Sequence, residues 1–123
     1  MHRSTIDYSR SEAEPLDDAV QSIKGWTHLN ERRFNQWFAR EIYKGRGRII
    51  DLGCMAGSST APLASGLAAN RSVVSGEKKV HAYDKFVKTW EAIPGEPLED
   101  IPRGGDFFSR FAENTSPWRD HIE

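Results

Sequence analysis

The sequence has little of several features that would place a protein in a class at once. Its 123 residues contain a single cysteine, which excludes an internal disulfide and favours a reducing compartment, so the cytoplasm is the expected location. Residues 1–10 have no apolar core and therefore do not form a secretory signal. The uncharged stretch 52–70 is too rich in glycine, serine and alanine to cross a bilayer. We expect an intracellular protein with no membrane partner.

The sequence also lacks any long stretch with charge of one sign. Charged residues make up 28% of the chain and the formal net charge is -1. Basic residues alternate with acidic ones, as in 30–33 and 39–42, whereas a surface that follows a phosphate backbone needs a basic stripe. With 37% hydrophobic residues the composition lies in the ordinary globular range. It predicts a globular domain without a nucleic-acid partner.

The stretch 48–60, RIIDLGCMAGSST, stands apart from this even composition. A short apolar run with β-branched residues leads to Gly53 and Gly57, and then to hydroxyl-bearing residues that can cap a helix. The pattern predicts a strand, a tight bend and the start of a helix. Such corners hold nucleotide-like cofactors in open α/β sheets, because N–H groups at a helix start favour polar or negatively charged ligand atoms.

Two common nucleotide-binding motifs fit this corner poorly. A phosphate-binding loop needs a lysine within the motif, and no lysine lies between Lys44 and Lys78. A dinucleotide fingerprint begun at Gly53 needs glycine where the chain has Met55 and Ser58, and the Met55 side chain would stand where pyrophosphate must approach. What remains is the order acidic-x-Gly-x-x-x-Gly-x-Ser over residues 51–59.

This order resembles the first motif of class I S-adenosylmethionine-dependent methyltransferases, particularly the catechol-type and macrolide-sugar O-methyltransferases. A second landmark of that family is a strand that ends in an acidic residue, which binds the cofactor ribose, and residues 79–84, KVHAYD, are similar to it. The two landmarks are about thirty residues apart, as expected for one strand-helix-strand unit. The resemblance implies S-adenosylmethionine as cofactor. It assigns no metal ligand, and it assigns cofactor binding to Asp51, Gly53, Cys54, Met55, Gly57, Ser59 and Asp84.

Within this resemblance the glycine-containing loop follows the methionine part of the cofactor, and Ser59 would bond the cofactor carboxylate. Simpler interpretations of the same residues remain open. The two glycines are also typical of close packing between a helix and a strand, and Asp84 is also typical of a residue that ends a strand or caps a helix. Cys54 could be a nucleophile at a helix start, but no histidine is close in sequence and a packing role is expected.

The chain divides into a flexible N-terminal arm, 1–20, and a partial methyltransferase domain, 21–123, in which a leading helix precedes the first strand. In the helix predicted near 29–43, large apolar residues recur on one face and should contact the core. These are Phe34, Trp37, Phe38 and Ile42. A helix over 60–67 and a second strand near 79–84 follow the corner.

The segment 85–103 is a long connection with several prolines, and long ordered loops usually have a function. We expect Phe86 and Trp90 to line or cover the adenosine region; the alternative is an irregular surface insertion. A helix over 105–114 should follow, with inward-facing side chains at Phe107, Phe108 and Phe111. Residues 118–123 should approach a third strand.

The predicted fold class is α/β, the N-terminal part of a Rossmann-like, doubly wound parallel sheet with flanking helices, incomplete at the C-terminus. The resemblance implies O-methylation of a small molecule or sugar by the complete domain, with the 123 residues alone inactive. No catalytic residue can be assigned. Expected partners are the acceptor molecule and either a homo-oligomer or a complementary C-terminal half. The alternatives are a non-catalytic remnant or interaction module, and an NAD- or nucleotide-sugar-binding Rossmann protein.

Overall fold

A computed structural model describes residues 5–123. Within these residues the α-helices and strands follow one another as α1 (Asp18–Gln21), α2 (Leu29–Trp37), β1 (Ile49–Leu52), α3 (Thr60–Ala68), β2 (Val80–Tyr83) and α4 (Phe108–Thr115). The remaining helical turns are Tyr8–Ala13, Ser75–Glu77 and Ser116–His121, which are 3-10 helices, and Phe38–Ile42, which is π-helical. No helix in this part of the chain is long and apolar enough to span a bilayer.

The two strands form a parallel sheet, in which Ile49 lies opposite Val80 and Leu52 opposite Tyr83. Helix α3 connects the two strands. The small residues at its start allow the chain to turn directly out of the bend after β1. The predicted α/β class is confirmed at this level, as a two-stranded parallel sheet with helices. The carboxyl ends of parallel strands lie at the same edge of a sheet. The bend after β1 therefore lies beside the residues that follow β2.

A short stretch at the end of the chain lies along the other side of β2. Ile122 forms a parallel bridge with Val80, and the Glu123 N–H donates to the Val80 carbonyl at 2.8 Å. The Ala82 N–H donates to the Glu123 carbonyl at 2.9 Å. The expected approach to a third strand is therefore present, on the side of β2 that faces away from β1.

Helix α3 packs between the sheet and α2 at the centre of the main core. The fully buried members of this core are Val20, Ile23, Ala39, Ala61, Ala64, Leu67, Val80 and Trp118. Gly66 permits the closest approach of the two helices, since a Cβ at this position would lie 2.2 Å from the Gln36 carbonyl oxygen. The small side chains of α3 thus set its distance from α2.

The predicted apolar stripe on the leading helix is only partly buried. Trp37 is buried, but Phe34 is 38% exposed, and Phe38 and Ile42 are half-buried. Helix α2 ends at Trp37, and a π-helical turn follows it directly. The wider π-helical turn rotates the later side chains away from the regular helical phase. Ala39 consequently enters the core in place of Phe38. The prediction that Phe34 contacts the core is wrong.

The described part of the predicted N-terminal arm packs against α2. Glu14 is buried, accepts a hydrogen bond from Gln36 Nε2 at 2.8 Å and forms an ion pair with Arg40. The buried guanidinium of Arg32 donates to the carbonyls of Val20 and Thr27, both at 2.8 Å. Flexibility of the arm stays a prediction, and its residues 1–4 lie outside the described part of the chain.

Candidate cofactor-binding site

The bend after β1 depends on two glycines for different reasons. Gly53 has a φ of 74°, and its N–H donates to the Tyr83 carbonyl at 2.7 Å, which ties the bend to the end of β2. Gly57 has a φ of 101°, and a Cβ there would lie 2.6 Å from the Thr115 Cγ2 atom. A positive φ disfavours any side chain, and at Gly57 there is also no space for one.

Asp84 joins the end of β2 to this bend. Its Oδ2 atom accepts a hydrogen bond from the Met55 N–H at 2.9 Å, and its Oδ1 atom accepts one from the Phe86 N–H at 2.8 Å. Met55 and Phe86 both have a positive φ, which is uncommon for residues with a side chain. The carboxylate therefore stabilises both turns, and each of its oxygens can still accept a further donor.

The Asp51 side chain reaches from β1 to the start of helix α3. Its Oδ2 atom accepts hydrogen bonds from the Ser59 hydroxyl at 2.8 Å and the Thr60 hydroxyl at 2.6 Å. A carboxylate at a helix start is favoured by the helix dipole. The Ser59 hydroxyl has already given its only proton, so in this conformation it offers a ligand lone pairs rather than a donor. A bond from Ser59 to a cofactor carboxylate would need this hydroxyl to turn.

The pKa of the Cys54 thiol reflects the electrostatic environment of the bend. Burial is the main cause that raises the pKa of this thiol to about 12, and the nearby carboxylates of Asp51 and Asp84 contribute to the same rise. The reactive thiolate is therefore scarce at neutral pH. The structure supports the packing role for Cys54, and it shows that negative charge surrounds the bend.

Residues that sequence reasoning did not identify hold the bend from outside. The Ser58 hydroxyl donates to Thr27 Oγ1 at 3.1 Å, and a Cβ on Gly25 would lie 2.1 Å from Ser58 Oγ. From α4, Asn114 Nδ2 donates to the Ala56 carbonyl at 3.0 Å. These partners are distant in sequence, and no local pattern marks them. Thr60, whose hydroxyl donates to Asp51, was not identified either. Its position directly after Ser59 in the hydroxyl-rich run is a local signal that could have identified it.

The segment 85–103 is an ordered loop with its own interior. Its base closes through the Phe107 N–H, which donates to the Phe86 carbonyl at 2.8 Å. Lys88 is buried, and its ammonium donates to the carbonyls of Leu98 and Ile101, both at 2.6 Å. The Leu98 carbonyl also accepts the Ile101 N–H at 3.1 Å, so the lysine adds a further donor to a hydrogen-bonded turn and stabilises residues 98–101.

The loop packs on the bend through a second hydrophobic cluster. This cluster contains Met55, Ala56, Phe86, Trp90, Leu98, Ile101 and Phe107. The Phe86 ring lies 5.0 Å from that of Phe108, and the Trp90 ring lies 5.5 Å from that of Trp26. Phe86 and Trp90 are thus close to the bend, as expected, but they pack against other aromatic rings. Their role as a cover over adenosine stays a prediction, and so does the alternative of a surface insertion.

The helix after the loop is confirmed with shifted bounds, Phe108–Thr115 instead of 105–114. Phe107 and Phe111 are buried as predicted, while Phe108 is exposed. Phe107 precedes the helix, so the three side chains do not follow one helical phase. Phe108 therefore points away from the buried pair.

We compared the chain with known proteins. No family model matches the sequence, and no curated protein and no solved structure matches it either. Residues 5–123 contain no group of three histidine, cysteine, aspartate or glutamate side chains that could hold a metal ion. The function of this chain is therefore inferred from the geometry and charge of the bend.

Proposed function

We propose that residues 21–123 are the cofactor-binding half of a class I S-adenosylmethionine-dependent methyltransferase, within a Rossmann-like sheet that further strands complete. The complete domain methylates an oxygen atom of a small molecule or a sugar. The observation that carries this proposal is the hydrogen bond between the Asp84 carboxylate and the Met55 N–H, at 2.9 Å. It joins the acidic end of β2 to the glycine bend, the two features that bind this cofactor in the family that the sequence resembles.

The charge of the bend favours this cofactor over a dinucleotide. S-adenosylmethionine carries a sulfonium and an ammonium cation, which the carboxylates of Asp51 and Asp84 attract. NAD and nucleotide sugars carry a pyrophosphate, which these carboxylates repel. The Met55 N–H, which could otherwise bind a phosphate oxygen, already donates to Asp84. The dinucleotide alternative is therefore disfavoured.

The ribose and the methionine ammonium of the cofactor have matching groups on this chain. The ribose hydroxyls donate to Asp84, whose two oxygens retain free lone pairs. The methionine part follows residues 53–57, and its ammonium donates to the acceptors at Asp51 and Ser59. Bound here, the cofactor would supply a sulfonium methyl group for transfer to an acceptor oxygen. Asp84, residues 53–57, Asp51 and Ser59 would hold its ribose and methionine parts and so keep the methyl carbon in position for attack.

A calorimetric titration with S-adenosylmethionine, S-adenosylhomocysteine and NAD tests the proposal. We expect the first two ligands to bind and NAD not to bind at the same concentration, because only NAD brings a pyrophosphate to the two carboxylates. S-adenosylhomocysteine shares the ribose and amino-acid groups and therefore controls for the methyl group. Tighter binding of NAD, or no binding of either adenosyl ligand to the folded protein, would contradict the proposal.

A second candidate function, an interaction module, is favoured by two exposed parts of the sheet, one apolar face and the outer edge of β1. Ile50, Leu52 and Tyr83 project from this face and are 54%, 76% and 56% exposed. Among residues 5–123, no strand pairs with β1 on the side away from β2. An unpaired edge beside an exposed apolar face promotes association with a further strand. The partner is a second copy of the chain or a complementary C-terminal half.

Sedimentation velocity over a range of protein concentrations tests this edge. We expect the wild-type chain to self-associate and the Leu52→Lys variant to remain monomeric, because the added charge opposes strand pairing at an exposed edge. The matched control is Val74→Lys, since Val74 is also exposed but lies outside both strands. A wild-type chain that stays monomeric at every concentration would remove self-association as a function.

A further inference from the structure

A separate cavity of about 410 Å³ touches the bend only at Ala56. It lies between the segment that precedes Gly25, the tip of the long loop and helix α4. Its volume is within the usual range for small-molecule sites, which is roughly 300–1,000 Å³. The polar side chains that line it include Ser22, Lys24, Glu96, Asp100, Arg110 and Asn114.

Several of these side chains are already held in place. Trp26 Nε1 donates to Glu96 Oε2 at 2.7 Å, which leaves Glu96 Oε1 without a protein donor. Asn114 uses its Nδ2 atom on the Ala56 carbonyl, so its Oδ1 atom remains available as an acceptor. Arg110 and Asp100 form an ion pair at 2.5 Å. Groups fixed before a ligand arrives lose little entropy on binding, which favours affinity.

The charges of the lining indicate the kind of ligand. The carboxylates of Glu96, Glu99 and Asp100 outnumber the cations of Lys24 and Arg110 by one. Because Arg110 pairs with Asp100, the Lys24 ammonium is the cation that remains in the lining, and the other free groups are mainly acceptors. A matching ligand therefore brings several hydroxyl donors and one ammonium group. Phosphorylated ligands do not fit, since the lining has an excess of negative charge.

We propose that this cavity binds an amino sugar of hexosamine size. Its hydroxyl groups donate to Glu96 Oε1 and Asn114 Oδ1, and its ammonium group is attracted by the excess carboxylate. The site is distinct from the cofactor site, whose carboxylates, Asp51 and Asp84, do not line this cavity. The proposal does not depend on methyl transfer, because binding can be measured without S-adenosylmethionine.

Calorimetric titrations with three amino sugars and their parent sugars test this inference. The probes are glucosamine, galactosamine and mannosamine, each compared with glucose, galactose or mannose in the absence of cofactor. We expect at least one amino sugar to bind about fivefold more tightly than its parent, as one partly exposed charge pair allows. Glu96→Gln should abolish this preference, since the amide oxygen still accepts from Trp26 but carries no charge.

The matched control is Glu91→Gln, in the same loop, because Glu91 is exposed, pairs with Arg103 and does not line the cavity. It should keep the preference. Glu99→Gln is a second variant, with the same expected loss as Glu96→Gln. Equal binding of every amino sugar and its parent, an absence of amino-sugar binding, or a preference that survives both cavity variants would overturn the inference. S-adenosylmethionine affinity should not change in Glu96→Gln, which separates this result from failure of the cofactor site.

Discussion

Replacing Asp84 with asparagine is expected to weaken S-adenosylmethionine binding by about 10- to 100-fold, the loss typical of a hydrogen bond to a charged group. Asparagine keeps the size of the side chain and an oxygen that can accept the Met55 N–H. It removes the negative charge, and its NH2 group replaces Oδ1, which accepts the Phe86 N–H and should also accept from the ribose. Calorimetric titration of wild-type and variant protein at one pH and ionic strength measures the difference.

The control for this experiment is Asp106→Asn. Asp106 accepts the Phe108 N–H at 2.9 Å in a similar local turn, but it is exposed and outside the bend. We expect this variant to bind S-adenosylmethionine as the wild-type chain does. If Asp84→Asn keeps full affinity, or if both variants lose it equally, the assigned role of Asp84 is wrong.

Replacing Gly66 with alanine is expected to lower the free energy of unfolding by about 3 kcal/mol, at the upper end of the range for overpacked sites. The new Cβ would lie 2.2 Å from the Gln36 carbonyl oxygen and 2.9 Å from the Ala39 Cβ. Both atoms belong to the segment that packs on α3, so relief requires the two helices to separate. Urea denaturation followed by circular dichroism measures the change. Because small domains are marginally stable, we expect a fraction of the variant molecules to be unfolded even without denaturant.

Gly76→Ala is the matched control for Gly66→Ala. A Cβ at Gly76 has no heavy atom within 4 Å, so its stability should change by no more than about 0.5 kcal/mol. If Gly66→Ala were tolerated equally well, α2 and α3 would be packed less closely than the structure shows. The comparison also controls for the general effect of replacing glycine in the unfolded chain.

The elements around the bend could be predicted because their signals are local. The apolar run before Gly53 indicated β1, and the predicted strand near 79–84 is β2 with slightly shorter bounds, Val80–Tyr83. The helix predicted over 60–67 is α3, which extends to Ala68. Each of these signals lies within the element itself, so neighbouring segments did not change the type of element, although Ile50 and Leu52 of the apolar run are exposed.

Prediction was less successful where distant segments compete for one surface. Phe34 had the spacing of a core residue, yet it lies at the surface, where its ring packs beside Tyr8. The π-helical turn after α2 placed Ala39 in the core in place of Phe38. Lysine is a residue type that is usually exposed, yet carbonyls of its own loop hold the Lys88 ammonium in the interior. These outcomes do not follow from local patterns, because each depends on segments that meet only in the folded chain or on the shift of a helical turn.

The order of elements and the chemistry of the bend follow from short segments, since glycine, hydroxyl and carboxylate positions are local properties of the chain. Which of these groups meet depends on the folded chain. Parallel pairing of β1 with β2 brings Asp84 to the Met55 N–H, 29 residues earlier in the chain, and the approach of α4 brings Asn114 to Ala56. Such contacts arise from the packing of the whole chain, in which close approach at a residue such as Gly66 sets distances that no local spacing encodes.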